Sequence, residues 1–480
     1  MTDGGEESRV ADQPGRLSGS RAQRGARLGG LAAGQSARWA LTRLSNLARD
    51  DDNSQDASDQ RNLAIAEALV DQLGEMKGAA MKLGQVLSTV EFAGMSEEDS
   101  QRIRAKLAEL QAKTPPLEFR HVRKVIEEDL GGQVSDHFAE FEEEAFAAAS
   151  IGQVHRARTQ DGRELAVKVQ YPGIAEAVEA DLRNLKLFVP FIRRLAPGMD
   201  TGSLLAEVRD RISEELDYEL EAQSQRAVQR ALRGHPFAYV PRVETALSTR
   251  RVLVSEYVEG RSFGQARLLG EEERDRFGEI LFRFFFSTLT HLSLALGDPH
   301  PGNYLLMDDG RVCFLDFGLV RRVDEEHLAG ERTLAGAVFE RDAEGVRHTM
   351  AALGYIADPA EFDAERLLEQ LLAGAEWLFE PGFRRLSSQY VRELIERGAS
   401  PRSPYFDQMR RQSLPAASLL MRRMEGLLLS VLGDLRAGAD WGAISREYVA
   451  GARPSTPLGE EEAAFWGSRR EGVARPTLQA

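Results

Sequence analysis

Asp298-Pro299-His300-Pro301-Gly302-Asn303 opens a stretch that continues as Tyr304-Leu305-Leu306-Met307. The chain then turns at Asp308-Asp309-Gly310 and runs on through Val312-Cys313-Phe314-Leu315-Asp316-Phe317-Gly318. An aspartate, four intervening residues and an asparagine make a loop. A short apolar hairpin follows and ends in Asp-Phe-Gly. Phosphoryl transfer needs these parts in this order. In that chemistry Asp298 would accept a proton from the nucleophile or orient it, and Asn303 and Asp316 would hold Mg²⁺ against nucleotide phosphates. Carboxylate and amide oxygens are hard ligands that suit a hard cation. The Asp-Gly turn between apolar runs predicts a hairpin, which would fix the spacing of the ligands. Asp-Phe-Gly alone is common by chance; loop, hairpin and Asp-Phe-Gly together are far more specific.

Composition narrows the classes. The chain has 480 residues, 42% of them hydrophobic, which is enough for a large core in two domains or one elaborated domain. A formal net charge of −15 argues against a nucleic-acid partner. Cys313 is the single cysteine, so an internal disulfide is excluded. The eight histidines form no metal-ligand pattern such as His-Glu-x-x-His. The polar N-terminus shows no secretory signal. Two stretches come near membrane-span length, 277–296 and 414–432. The first carries Glu279, Arg283 and His291, the second Arg422, Arg423 and Glu425. Such charges predict buried core helices instead. A cytoplasmic protein is expected, with a peripheral membrane surface left open as a partner.

Along the chain, residues 1–60 read as a disordered arm rich in Gly, Ser, Asp and Arg. A short amphipathic helix over Gln35 to Ala48, with Arg16, Arg21, Arg24 and Arg27 upstream, could meet a membrane surface. It could equally dock on the domain. Residues 61–132 read as a helical extension. Within it, Lys77-Gly78-Ala79-Ala80-Met81-Lys82-Leu83-Gly84-Gln85 is the small-residue pattern of a tightly packed helix. Lys82 and Gln85 share one face. Leu117 to Leu130 reads as an amphipathic helix ended by Gly131-Gly132.

Residues 133–260 have the pattern of a kinase small lobe. Ala147-Ala148-Ala149-Ser150 stands where a Gly-rich phosphate loop is usual, and alanine restricts φ, so a stiffer loop is expected. A hairpin at Asp161-Gly162 leads to the strand Leu165-Ala166-Val167-Lys168-Val169. Lys168 needs an acidic partner to be held against the α/β phosphates. The cluster Glu214-Glu215-Leu216-Asp217-Tyr218-Glu219-Leu220-Glu221, on a helix from about 202 to 232, supplies the candidates. The segment 173–196 reads as an inserted helix. Arg251 to Tyr257 reads as a strand, and Val258-Glu259-Gly260 as the hinge. Glu256, Tyr257 and Val258 would therefore border the nucleotide. Residues 261–455 read as a helical large lobe and 456–480 as a polar tail.

Four signatures together resemble the UbiB family of atypical kinase-like proteins, also called AarF or ADCK type. They are Gly78-x-x-x-Lys82-x-Gly84-Gln85, Ala147 to His155, Glu215-Leu216-Asp217-Tyr218 with Glu221-Ala222, and Asp298 to Asn303 with Asp316-Phe317-Gly318. Pro454 to Gly459 also resembles the family's C-terminal segment. The resemblance implies an α+β, bilobal protein-kinase-like fold with an N-terminal helical extension carrying the Lys-x-Gly-Gln motif. It implies that Lys168 pairs with Glu221, and that Lys82 contacts Glu215 and Asp217 over the active site. It implies Asp298 as the catalytic aspartate and Asn303 and Asp316 as Mg²⁺ ligands. Gly297 departs from the family's usual alanine before the catalytic aspartate, and Ser224 from its usual asparagine.

The leading expectation is an enzyme dependent on ATP and Mg²⁺, an atypical kinase or ATPase that supports quinone or isoprenoid-lipid metabolism. ATP or ADP would bind, and a quinone or isoprenoid lipid is left open as a ligand. Phosphorylation of proteins in trans is not expected. Two alternatives stand beside it: a small-molecule phosphotransferase of the aminoglycoside-kinase type, and a nucleotide-gated scaffold that handles lipids without catalysis. The Lys-x-Gly-Gln helix and the Ala-Ala-Ala-Ser segment speak against the first.

Overall fold

The computed structural model describes residues 117–149, 151–176, 178, 216–399 and 403–469. Lys82, Gln85, Ser150 and Glu215 lie outside the described residues, as do the N-terminal arm and the Lys-x-Gly-Gln segment. So does nearly all of the predicted inserted helix. The chain divides into two compact units. The first holds Met1–Val125, Glu144–Val154 and Val169–Leu216; the second holds Ile126–Glu143, His155–Lys168 and Asp217–Ala480.

In the first unit, strand β2 (Ala147–Ala149) pairs antiparallel with the start of β3 (Gly152–Arg158). Ala147 lies opposite Val154 and Ala149 opposite Gly152. This revises the expectation of an alanine loop. The three alanines are extended strand, and the connection is only two residues long. Alanine resists the positive φ that a glycine loop exploits and is compatible with extended backbone, where φ is negative.

In the second unit, β1 (Glu140–Phe141) pairs with the end of β3. A hairpin with Gly162 at φ +85° leads to β4 (Glu164–Gln170). Burial alternates along β4: Leu165 and Val167 are buried, and Lys168 takes the other face. The sheet order is β1-β3-β4, then β6 (Val252–Glu256) beyond β5 (Ala238–Tyr239) in sequence.

Helix α1 (Phe119–Leu130) ends as expected at Gly131 and Gly132, both at positive φ. Helix α2 (Tyr218–Ala231) begins later than the acidic cluster suggested. Asp217 is its N-cap, with extended backbone and a side chain that accepts from the Glu219 N–H at 3.0 Å. An aspartate there satisfies an amide at the open end of the helix, so the helix starts after it.

Helix α3 (Glu271–Leu292) carries Glu271, Glu272 and Glu273 in its first turn, where the helix dipole favours them. Ser293, in the left-handed region, ends it. The chain then enters β8 (Leu294–Leu296), which pairs antiparallel with β11 (Val320–Arg322), Leu296 opposite Val320. The Gly297 N–H donates to Leu319 O at 2.9 Å. The residues just before Asp298 are thus tied to those just after Gly318. Between them lies the predicted hairpin, β9 (Tyr304–Leu306) on β10 (Val312–Phe314), with Gly310 at φ +81° in its turn. β5 joins β10 in parallel, and β7 (Arg261–Ser262) joins the outer edge of β9.

The core of this unit forms around α3. Phe284 stacks on Phe314, and Phe282 on Phe286. Further helices follow: α4 (Glu325–Phe339), α5 (Ala343–Leu353), α6 (Ala364–Phe379), α7 (Ser388–Ala399), α8 (Ala416–Leu435), α9 (Trp441–Ala450) and α10 (Pro457–Gly467). Strands β12 (Arg384–Arg385) and β13 (Gly438–Ala439) form a small pair among them. Leu428, Leu432 and Leu435 of α8 and Trp441 and Ile444 of α9 complete the main core, while Leu334, Val346, Met350 and Leu367 form a second cluster. Among the described residues, no helix is long and apolar enough to cross a membrane. Both stretches of near-span length are packed helices.

The start of the segment read as a polar tail is helix α10. Thr456 caps it by accepting from the Gly459 N–H, Pro457 fills its first turn, and Leu458 is buried. Arg283 of α3 is fully buried and reaches this segment. It bonds Glu279, Glu447 and Glu462 and donates to Thr456 Oγ1 at 2.9 Å. Four polar partners explain how a charge tolerates the core.

Candidate active site

β4 presents Lys168 and α2 presents Glu221. Lys168 Nζ lies 2.9 and 2.8 Å from the two Glu221 oxygens, and 4.7 Å from the centre of the Tyr218 ring. Glu221 is buried and Lys168 mostly so. Burial alone would pull the lysine pKa down. The negative charge of Glu221 opposes it, with lesser contributions from Tyr218 and Asp316, and the net direction is up. Lys168 is therefore a fixed cation. Of the acidic cluster, the structure selects Glu221 for Lys168. Asp217 caps α2 and lies 3.9 Å from Arg250.

The Asp-Phe-Gly turn comes close to this pair. A Cβ on Gly318 would stand 3.7 Å from Glu221 Oε2 and 3.4 Å from Asp316 Oδ1. Asp316 Oδ1 accepts from the Gly318 N–H at 2.9 Å, and Phe317 is buried beneath the turn. Asp298, Asn303 and Asp316 line one small pocket with Tyr304 and Leu315. Its apolar wall is Phe284, Phe285, Phe314 and Leu319. Asn303 Nδ2 points to Asp298 O at 3.4 Å, which leaves the amide oxygen to face elsewhere. His300 Nδ1 accepts from the Gly302 N–H and tightens the loop. The donor set fits Mg²⁺: it offers carboxylate and amide oxygens, and Mg²⁺ usually takes one or two carboxylates together with phosphate oxygens.

The hinge residues are also placed. The Tyr239 hydroxyl donates to Glu256 at 2.8 Å, so this carboxylate already has a partner. The Tyr257 N–H donates to Glu164 O at 3.0 Å, and the Arg156 guanidinium lies over the Tyr257 ring. A Cβ on Gly260 would meet Leu306 O at 2.9 Å, so glycine permits the close approach at the end of Val258-Glu259-Gly260. Lys168, Glu221, Asp298, Asn303 and Asp316 thus belong to one unit. Ala147, Ala148 and Ala149 belong to the other.

Two residues in or beside this pocket carry no signal in the motifs. Tyr304 is buried, and its hydroxyl has no hydrogen-bond partner among the described residues. Burial pushes its pKa up, and so does the charge of Asp298. Arg423 of α8 is the second; its Nη2 lies 3.3 Å from Asp298 Oδ1. In the sequence it shows only as a charge within an apolar stretch.

The sequence model of the ABC1 atypical kinase-like domain matches residues 109–350, which hold every motif of this site that the structure describes. The chain belongs to this family. A Xenopus laevis AarF domain-containing protein kinase 1 is 29% identical over 65% of this chain and 61% of its own length. A rat mitochondrial atypical kinase COQ8B is 34% identical over 55% of this chain and 49% of its own. The chain therefore spans about half to three fifths of these ABC1 relatives. A solved Mycobacterium tuberculosis structure, of Rv3197 in complex with erythromycin, has a TM-score of 0.59 and 32% identity. The likeness covers 78% of this chain and 93% of that one. The mixed helix-and-sheet, kinase-like fold of the ABC1 family is thus that of this chain.

Proposed function

We propose that this ABC1-family chain binds Mg-nucleotide and transfers or hydrolyses the γ-phosphoryl group in support of quinone or isoprenoid-lipid metabolism. One observation carries the chemistry. The Lys168–Glu221 pair meets the Asp-Phe-Gly turn, and Asp316, Asn303 and Asp298 line a single cleft beside it. Lys168 would hold the α/β phosphates. Asp316 and Asn303 would hold Mg²⁺, which when bound neutralises charge on the phosphates. The oxygen of a water or alcohol bonds to the γ-phosphorus while the bond to the bridging oxygen breaks. The electron pair leaves with the nucleoside diphosphate, and Asp298 accepts the proton of the attacking oxygen. The family resemblance assigns Lys82, Gln85, Glu215 and Asp217 a regulatory part that restricts acceptors, which favours small or lipid acceptors over proteins. The lipid assignment rests on the family and on the kinase names of its relatives.

The test measures nucleotide turnover with and without liposomes and quinone-like phenols, with the phosphate followed onto any acceptor. Turnover that needs Mg²⁺ and rises with liposomes or phenols is the expected result. Absence of both nucleotide binding and turnover would refute the reading.

A further inference from the structure

Arg423 makes two contacts at the start of the Asp298 loop. Its Nε donates to Gly297 O at 2.9 Å, and its Nη2 lies 3.3 Å from Asp298 Oδ1. Arg423 and Asp298 are each about three-quarters buried. One planar guanidinium thus spans a backbone carbonyl and the neighbouring carboxylate, a reach that the single ammonium of lysine copies poorly.

Gly297 lies close to the side chains of Leu420 and Leu319. A Cβ there would stand 2.1 Å from Leu420 Cδ1 and 2.8 Å from Leu319 Cδ2. Leu420 and Arg423 are three apart on α8, so they face the same way. A methyl at 297 would require the ends of these two leucine side chains to move aside, with no backbone atom of α8 in its way.

We propose that Arg423 is a positioning residue for Asp298. It holds Oδ1 and the loop carbonyl, so that Oδ2 faces the cleft as the proton acceptor. This inference rests on the reading of Asp298 as acceptor given above. A merely structural Arg423 would lower stability and nucleotide binding together. A positioning Arg423 lowers the rate of the chemical step and leaves the nucleotide bound.

The experiment measures ATP turnover, Mg-ADP affinity and Tm on the full chain. The variants are Arg423→Met, Arg423→Lys, Gly297→Ala, Asp298→Asn and Asp298→Asn with Arg423→Met. A misplaced reacting group costs up to about 100-fold in rate. Arg423→Met should therefore lower kcat about 10- to 100-fold with Mg-ADP affinity within about twofold. Arg423→Lys should recover part of the rate, and Gly297→Ala, which moves only leucine side chains, should stay closer to the native rate than Arg423→Met. On Asp298→Asn, Arg423→Met should cause no further loss, because residues acting as a unit are non-additive. If Arg423→Met fails to fold, Arg423→Lys carries the same comparison. An unchanged kcat in Arg423→Met, where Asp298→Asn abolishes turnover, overturns this inference alone. So does an equal loss with and without Asp298. Wild-type turnover in Asp298→Asn, or none in the native chain, sinks the acceptor reading and this inference with it.

Discussion

Lys168 Nζ and the Glu221 carboxylate meet at 2.8 Å across 53 residues of sequence, with Glu221 almost fully out of solvent. Removing the lysine strands a buried anion, which costs about 3–5 kcal/mol for a fully buried pair and less for one that keeps some solvent contact. Lys168→Met should therefore weaken both nucleotide binding and the fold. Glu221→Gln removes the carboxylate charge and should restore part of the stability in the double variant, though not the nucleotide affinity. A double-mutant cycle on unfolding free energy checks this. Strictly additive losses would mean that the two side chains do not depend on each other.

Asp316→Asn separates metal from fold. Its Oδ1 accepts from the Gly318 N–H, and an asparagine oxygen can keep that bond. The charge is lost, both to a bound cation and, as a lesser contribution, to Lys168. The expected outcome is a Tm little changed in the absence of ligand and at least about a tenfold loss in the Mg²⁺-dependent part of ADP affinity, which corresponds to about 1.4 kcal/mol. Thermal-shift titration with and without Mg²⁺ reads both. Equal Mg²⁺ enhancement in the two proteins would remove Asp316 from the ligand set.

What the sequence made legible was local. Asp308-Asp309-Gly310 announced its hairpin because a turn depends on its own residues. The alternation around Lys168 announced a strand with one buried face. The start of α2 was misjudged because charge density hid Asp217, whose short side chain caps the helix. Ala147 to Ala149 were misjudged because a loop was assumed where glycine would have been needed to bend. Arg423 was invisible as a site residue, since its partner lies 125 residues away and nothing periodic links them. The acidic composition likewise concealed Glu462, which reads as a tail charge and is in fact buried against Arg283.

That C-terminal junction gives a stability prediction. A Cβ on Gly459 would stand 2.6 Å from Arg283 Nη2 and 2.9 Å from Glu447 Oε2. Both atoms are held by the buried ion network, so neither can yield freely. Gly459→Ala should cost about 1–3 kcal/mol by overpacking. Arg283→Met should cost about 3–5 kcal/mol, since it leaves buried carboxylates without their cation. Chemical denaturation of each variant decides it. A Gly459→Ala protein as stable as the native chain would show that α10 shifts at no cost.

His235 ties stability to pH. It is almost fully buried, among Phe237, Phe465 and Trp466. Its Nδ1 accepts from the Ala238 N–H at 3.2 Å, so the neutral ring carries its proton on Nε2. Burial, and then the charges of Arg469 and His291, push its pKa down to about 3. Glu462 Oε1, at 3.9 Å from Nε2, is the nearby acid; burial pushes that carboxyl up. An unfolded histidine titrates near 6.5. Between that pH and about 3 the unfolded chain binds a proton that the folded chain refuses. Stability contributed by the neutral ring is thus complete above the unfolded pKa and lost as pH falls. From pH 7 to pH 5 the loss is about 2 kcal/mol. His235→Asn keeps an acceptor near Nδ1 but cannot take up the proton. It should be less stable than the native chain at pH 7 because ring packing is lost. Its further loss between pH 7 and pH 5 should be smaller than that of the native chain by about 2 kcal/mol. Glu462 acts in the opposite direction, since a raised carboxyl favours the fold at acid pH and loses that contribution as pH rises. It is present in both proteins and largely cancels in the comparison. Urea unfolding at the two pH values gives the four numbers needed. Identical pH losses in both proteins would show that His235 is not held neutral in the fold.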